Sequence, residues 1–424
     1  MLIVQKYGGT SVGSIERMKQ VAERVIATKR AGHDVVVVVS AMSGETNRLV
    51  GLAQQIDEKP EGREYDVLLS TGEQASVALV AMWLEKLGQP AQSMLGHQMK
   101  LITDSAFSKA RIHSVGGDII RRALEAGKVV VAAGFQGVDA EGNITTLGRG
   151  GSDTTAVALA AALGAGRGDV ACEIYTDVDG VFTTDPNMEP TARKVDRIAY
   201  EEMLELASLG AKVLQIRSVE LGMNHNVPIW VKNTFSKDPG TLVCHEDEDM
   251  ERVVVRGVSC SRDDVRILVR QCKNNIGTAA QLFGALAEAN IVVDVIVQNI
   301  AVAGRVDVSF TVPRADLPRA RDVTKSLLGA IGAEGMDIDN DMAKVSIVGV
   351  GMRSHAGVAA RMFRVLAKAG IDIHLISTSE IKVSCVIDRK YAELAVRVLH
   401  AEFELAKVPA KVAKAPAAKK RKAS

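Results

Sequence analysis

The chain has 424 residues, 47% of them hydrophobic and only 4% aromatic, with 24% charged and a formal net charge of +1. That length accommodates two or three domains with sizeable cores, and 37 Gly suit an α/β protein with short turns better than a β-sandwich. Lys411, Lys414, Lys419, Lys420, Arg421 and Lys422 lie in an acid-free Ala/Lys/Pro tail, so the rest of the chain carries −5, and nucleic acid is not an expected partner. The five cysteines, Cys172, Cys244, Cys260, Cys272 and Cys385, show no CxxC pair and no His spacing that would build a metal site. They read as reduced thiols of a cytoplasmic protein. The N-terminus lacks a signal-peptide pattern, no apolar run approaches the roughly 18 residues of a membrane span, and no membrane partner is expected.

In chain order, Leu2, Ile3 and Val4 begin a strand that ends at Lys6 and breaks into Tyr7-Gly8-Gly9-Thr10-Ser11. Ile15, Met18, Val21, Ala22, Val25 and Ile26 recur at helical spacing up to Gly32, and Val35 to Val39 is a β-branched run for a strand buried on both faces. This is a β-α-β unit. Its glycine turn matches neither the P-loop nor the dinucleotide fingerprint. The lysine stands before the glycines, where its ammonium can reach phosphate oxygens held by the Gly8 and Gly9 amides; a solvated lysine at a strand end has the same local pattern.

A second loop, from Ser40 to Asn47, places small hydroxyls at a strand's carboxyl end, where open α/β sheets hold ligands. A helix follows over 64–87, with Glu73 either a surface charge or an ammonium partner, and strands are expected at 91–95, 129–133, 170–175 and 228–231. Between them lies Leu147-Gly-Arg-Gly-Gly-Ser-Asp-Thr-Thr-Ala156. Its glycines allow close backbone approach, Arg149 offers a bidentate cation, and Ser152 and Asp153 open a helix closed by Gly164. An anion site and an ordinary capped glycine turn both fit this stretch taken alone. A second polar turn, Thr176 to Pro186, has two acids directly after a strand but lacks the ligand ladder of a calcium loop. Helices at 201–209 and 212–222 flank Gly210, and Lys212 is either an inward cation or a solvated helix start.

Beyond Pro239-Gly240 the pattern changes. After the acidic run His245–Glu251 an internal repeat begins: Gly277, Ala279, Phe283, Leu286 and Ile291 recur eighty residues later as Gly357, Ala359, Phe363, Leu366 and Ile371. Two copies are too few for a solenoid and suit a paired α+β module. Met250 reads either as an ordinary internal methionine or as an internal start for a separate regulatory chain.

Taken together, Lys6-x-Gly-Gly-Thr-Ser, Ser40-Ala-x-x-Gly-x-Thr46-Asn47, Ser-Thr-Gly-Glu73, the stretch 147–155, Thr176-Asp177 with Thr184-Asp185-Pro186, and Gly210-Ala-Lys212 resemble the aspartate kinases of the amino acid kinase superfamily. The doubled module resembles the two ACT domains of the monofunctional, feedback-regulated members. The resemblance covers about residues 1 to 405. It implies an α/β fold: an N-terminal amino-acid-kinase three-layer sandwich with a mainly parallel sheet over 1–245, a linker over 246–262, ACT (ferredoxin-like) α+β domains over 263–340 and 341–406, and a basic disordered tail over 407–424.

The same resemblance implies ATP with Mg²⁺ as phosphoryl donor and L-aspartate as acceptor. Lys6, Lys212 and Asp153 would be catalytic. Ser40, Thr46, Glu73, Arg149, Gly150, Gly151, Ser152 and Asp153 would hold aspartate, and Lys6, Tyr7, Gly8, Gly9, Thr176, Asp177, Phe182, Asp185 and Lys212 would hold ATP. Asn274, Gly277, Ala279 and Gln298 would contact lysine and/or threonine as effectors, and pairing of the ACT domains implies a homodimer or higher oligomer. A carboxylate with a pKa near ~4 is already an anionic nucleophile at neutral pH, so no general base is needed. Three positions depart from the family pattern: Phe182 stands where Tyr is common, Asn187 where Arg follows the Asp-Pro, and Asn274-Asn275-Ile276-Gly277 where Asp-x-Pro-Gly is common. A sibling kinase for glutamate or N-acetylglutamate and a non-catalytic amino-acid sensor are the competing readings.

Overall fold

The computed structural model describes residues 1–164, 170–208, 213–299 and 303–408. Val35, Val37 and Val39 pack with Val21, Val25, Val77 and Val80 on one side of a sheet, while Val36 and Val38 pack with Ile120, Val157 and Leu159 on the other. Alternation with period two thus sends successive valines of one strand into two different cores. Both faces are therefore covered by helices, which is why this strand reads as an unbroken β-branched run.

The sheet has eight strands, in the order Arg197–Ala199, Thr241–Cys244, Ile229–Asn233, Val170–Thr176, Leu2–Tyr7, Asp34–Val39, Val129–Ala133, Ala91–Met94. Every adjacent pair is parallel except Ile229–Asn233 with Thr241–Cys244. Helices Ile15–Arg30 and Arg63–Lys86 cover one face; Gly117–Glu125, Gly151–Leu163, Tyr200–Ser208 and Ile216–Asn224 cover the other. The helix Arg63–Lys86 is long and apolar enough to cross a membrane by length and composition, yet half of its most apolar window is buried inside the protein and Asp66 and Glu73 lie within it. A small sheet of strands Ile112–Val115, Leu101–Thr103, Gln136–Val138 and Ile144–Thr146 stands beside the large one.

Two further four-stranded antiparallel sheets follow. The first holds Asp264–Lys273, Ile296–Gln298, Arg305–Pro313 and Gly335–Asp339, backed by helices Thr278–Glu288 and Leu317–Leu327. The second holds Met342–Val348, Leu375–Thr378 and Lys382–Asp388, backed by Val358–Lys368 and Ala392–Glu402. Its fourth strand is Gly257–Ser261, paired antiparallel with Met342–Val348. The stretch 246–262, expected as a linker, thus carries a short helix, Glu248–Glu251, and then an edge strand of the second small sheet.

Candidate active site

Because the strands are parallel, Tyr7, Val39, Ala133, Thr176 and Asn233 all end along one edge of the sheet. Hydrogen bonds stitch the turns that follow: Gly8 N to Tyr175 O at 3.4 Å, Ser40 N to Tyr7 O at 3.1 Å, Gly134 N to Val39 O at 3.1 Å and Thr234 N to Thr176 O at 2.9 Å. Side chains add Ser11 Oγ to Thr234 Oγ1 at 2.6 Å. The glycine turn, the serine loop and the acidic turn are therefore neighbours.

The helix Gly151–Leu163 brings its N-terminus to the same edge. A side chain at Gly134 would lie 2.6 Å from Ser152 Cβ, so only glycine admits this approach. The preceding turn passes through Gly150 at φ +72, against the Gln215 side chain. Lys6 sits on the sheet face that carries this helix, and its Nζ meets Asp153 Oδ1 at 2.6 Å. Arg149 is exposed and has no hydrogen-bond or ion-pair partner among the described residues.

Glu73 is 3% exposed on the helix Arg63–Lys86. Its Oε1 accepts the Ala41 N–H at 2.9 Å, which ties it to the serine loop, while Oε2 has no hydrogen-bond partner among the described residues. Burial lifts its pKa to about 7, against the smaller lowering by backbone hydrogen bonds. A buried acid with one oxygen unmatched is suited to an ammonium. Thr46 stands in the first turn of the helix Glu45–Gln54, beside the same loop.

On the other flank, Thr176 Oγ1 meets Asp177 Oδ1 at 3.2 Å, and Asn233 fixes Asp179 at 2.9 Å. Asp185 is exposed and accepts the Asn187 backbone N–H at 2.9 Å and its side-chain amide at 3.0 Å. Asp185 thus caps the turn that follows it, with one carboxylate oxygen taken by both Asn187 donors. A cavity of about 760 Å³ lies here, lined among others by Asp177, Phe182 and Asp185. The Tyr7 ring is fully buried, stacked on Tyr175 with centroids 4.7 Å apart, so its side chain does not face the turn. Lys212 lies outside the described residues.

Asn274, Gly277 and Ala279 cluster at the start of the helix Thr278–Glu288, and Gln298 ends the edge strand of the same sheet. Asn275 caps that start, accepting the Gly277 N–H at 3.0 Å and the Thr278 hydroxyl at 2.9 Å.

Sequence reasoning passed over the residues that brace the Arg149 turn. Asp66 is fully buried and accepts four hydrogen bonds, from Ser108 N and Oγ and from Thr146 N and Oγ1, at 2.6 to 3.0 Å. Arg217 donates to Leu147 O at 2.7 Å and Ala110 O at 2.8 Å. An acid seven residues before Glu73, hence on the same helical face, was the available signal.

The profile of the amino acid kinase family matches residues 1–233, and that of the ACT domain matches 265–326 and 345–403. Over 406 residues the chain is 57% identical to the aspartokinase of Pseudomonas aeruginosa, an alignment covering 95% of this chain and 98% of that protein. The chain belongs to the aspartokinases. The aspartokinase of Helicobacter pylori strain J99 is 50% identical over 409 residues, covering 96% of this chain and all of that one. Among solved structures, Escherichia coli aspartokinase III in complex with aspartate and ADP superimposes with a TM-score of 0.79 at 27% identity, covering 95% of this chain and 99% of that one. The same enzyme in complex with lysine and aspartate gives a TM-score of 0.72, also at 27% identity and with the same coverage. An aspartokinase moves the γ-phosphoryl group of ATP to the side-chain carboxylate of aspartate, and this is the activity the chain carries.

Proposed function

We propose that Lys6, Gly8 and Gly9 hold the phosphates of ATP and that Lys6, with Lys212, stabilises the charge on the transferring γ-phosphoryl group. Thr176, Asp177, Phe182 and Asp185 receive the rest of the nucleotide. Ser40, Thr46, Ser152 and the Gly150–Gly151 turn enclose aspartate, Arg149 clamps its carboxylate, and Glu73 pairs with its ammonium. The observation that supports this reading is that the loops after parallel strands bring together the Lys6–Asp153 pair, a buried acid, Glu73, with one oxygen unmatched, and Arg149, which is exposed and unpaired among the described residues.

The acceptor carboxylate is ionised and attacks phosphorus without a base. Catalysis consists of in-line positioning and electrostatic stabilisation. Asp153 pairs with Lys6 at 2.6 Å and so holds that ammonium at the start of the helix Gly151–Leu163, where the phosphates of ATP would also meet it. Among the described residues no three His, Cys, Asp or Glu converge on a metal position. Mg²⁺ would enter as MgATP, held chiefly by phosphate oxygens and water with one or two carboxylates at most.

The effector is lysine, threonine or both, at the first ACT copy near Asn274, Gly277, Ala279 and Gln298, and the molecule is a homodimer or larger. Bound lysine in the Escherichia coli relative supports the first of these effectors. Asn274 offers an amide where an acid would pair with the effector's ammonium, which predicts weaker inhibition than in relatives that keep the acid. The test is ADP release with aspartate in the presence of lysine, threonine and both. Suppression lost in Gln298→Ala with turnover intact supports the placement, and suppression unchanged in that variant moves the effector elsewhere.

A further inference from the structure

The acidic turn does not stand alone. Thr183 within it is 1% exposed, and its backbone carbonyl accepts the Val258 N–H of the edge strand Gly257–Ser261 at 2.7 Å. A side chain at Gly257 would lie 2.8 Å from that carbonyl, so glycine permits the strand to run this close. The Thr183 hydroxyl accepts the Arg193 N–H at 3.0 Å and lies 3.0 Å from Nε2 of His400, in the helix Ala392–Glu402. His400 is itself buried, at 2% exposure. One turn away, Arg397 donates to Met188 O at 2.9 Å. The cavity of about 760 Å³ is lined by Ser259 and Arg262 as well as by Phe182 and Asp185.

Taking the turn Thr176–Asp185 as the nucleotide site, as proposed above, we propose that Thr183 and His400 are positioning residues for ATP. Through their hydrogen bond the second ACT domain holds the turn in its nucleotide-receiving shape, and the strand Gly257–Ser261 of that domain forms the far wall of the nucleotide cavity. The chemistry is self-consistent. Since the Thr183 oxygen already accepts from Arg193, its proton is free for His400 Nε2. Burial holds the imidazole below its usual pKa, with Glu189 raising and Arg193 lowering it, so a neutral ring is present to accept. A shift of the second ACT sheet therefore reaches the nucleotide directly, without passing through the aspartate pocket.

The experiment is steady-state kinetics on the full chain with His400→Leu, His400→Gln, Thr183→Val and Thr183→Ser, each checked by thermal melting. Losing one buried hydrogen bond predicts a rise of about fivefold to tenfold in KM for MgATP in the Leu and Val variants, with KM for aspartate within about twofold. Gln and Ser, which restore a polar partner, return KM for MgATP to within about twofold of the parent. Equal rises in both KM values, or Gln no better than Leu and Ser no better than Val, overturn the proposal. If His400→Leu fails to fold, the Thr183 pair decides alone. Asp185→Ala separates the two layers: an unchanged KM for MgATP there refutes the nucleotide assignment itself, whereas a raised KM with inert His400 and Thr183 variants refutes only the positioning role.

Discussion

Lys6 and Asp153 meet at 2.6 Å, with side chains only 12% and 10% exposed, joining the first strand of the sheet to the first turn of the helix that follows Arg149. On the proposed assignment, the pair ties the phosphate side of the site to the aspartate side. Replacing Lys6 by Met removes the cation proposed to face the developing phosphoryl charge. Loss of one such electrostatic partner predicts a fall of roughly 10² to 10³ in kcat, with KM for aspartate little changed. A kcat within tenfold of the parent excludes Lys6 from the transfer step.

With Glu73 as the proposed partner of the substrate ammonium, aspartate use is expected to depend on pH. Its carboxyl must be ionised to pair with an ammonium, and burial sets its pKa at about 7 in the free protein. The expected kcat/KM for aspartate rises with pH up to a plateau above about 7, and Glu73→Gln flattens that profile and lowers the plateau. Stability moves the other way. The ordinary value is 4.5, so the folded state binds this proton more tightly than the unfolded chain does. That contribution is complete below about pH 4.5 and is lost as pH rises through about 7, on the order of 3 kcal/mol in all. Chemical denaturation should therefore find Glu73→Gln more stable than the parent at pH 8 and equal to it at pH 4.5.

Arg149 is exposed and unpaired among the described residues, so its removal leaves no buried charge behind. Arg149→Ala is expected to lower kcat/KM for aspartate by roughly 10² or more through lost orientation, with KM for ATP within about threefold. Equal effects on both substrates contradict the clamp. Asp66→Asn, which disturbs the bonds to Ser108 and Thr146 beneath that turn, should give a weaker copy of the same pattern.

Much of this was legible in the sequence because the signals are local. The valine run of the second strand, the helical spacing after it and the eighty-residue repeat each depend on near neighbours, and the helices Thr278–Glu288 and Val358–Lys368 stand at that offset. The small sheet at 101–146 was not legible, since strands of three or four residues carry too little alternation to register. Gly257–Ser261 read as linker because its partner, Met342–Val348, lies beyond the whole first ACT sheet. Around the site, Gly134 acts through a close approach to Ser152 that no spacing encodes, whereas Asp66 stands seven residues before Glu73 on the same helical face and shows its partners, Ser108 and Thr146, only in the fold.

Glu202 joins the kinase module to the second ACT domain. Fully buried, it accepts Val350 N at 3.0 Å, Ala199 N at 3.1 Å and Arg256 Nε at 3.2 Å. Glu202→Ala leaves the buried Arg256 without its carboxylate and is expected to cost about 3 to 5 kcal/mol, read as a lowered Tm. Glu202→Ala combined with Arg256→Ala should lose less than the two single losses added together. Strict additivity in that cycle denies the pairing.

The most direct measurement is to trap the product. The full chain is incubated with MgATP and hydroxylamine, which converts an acyl phosphate to a hydroxamate, and L-aspartate, L-glutamate and N-acetylglutamate are supplied in turn. The account predicts the β-hydroxamate of aspartate, formed with equimolar ADP and lost in Lys6→Met. A hydroxamate from glutamate or N-acetylglutamate, or ADP release that ignores the added amino acid, contradicts it.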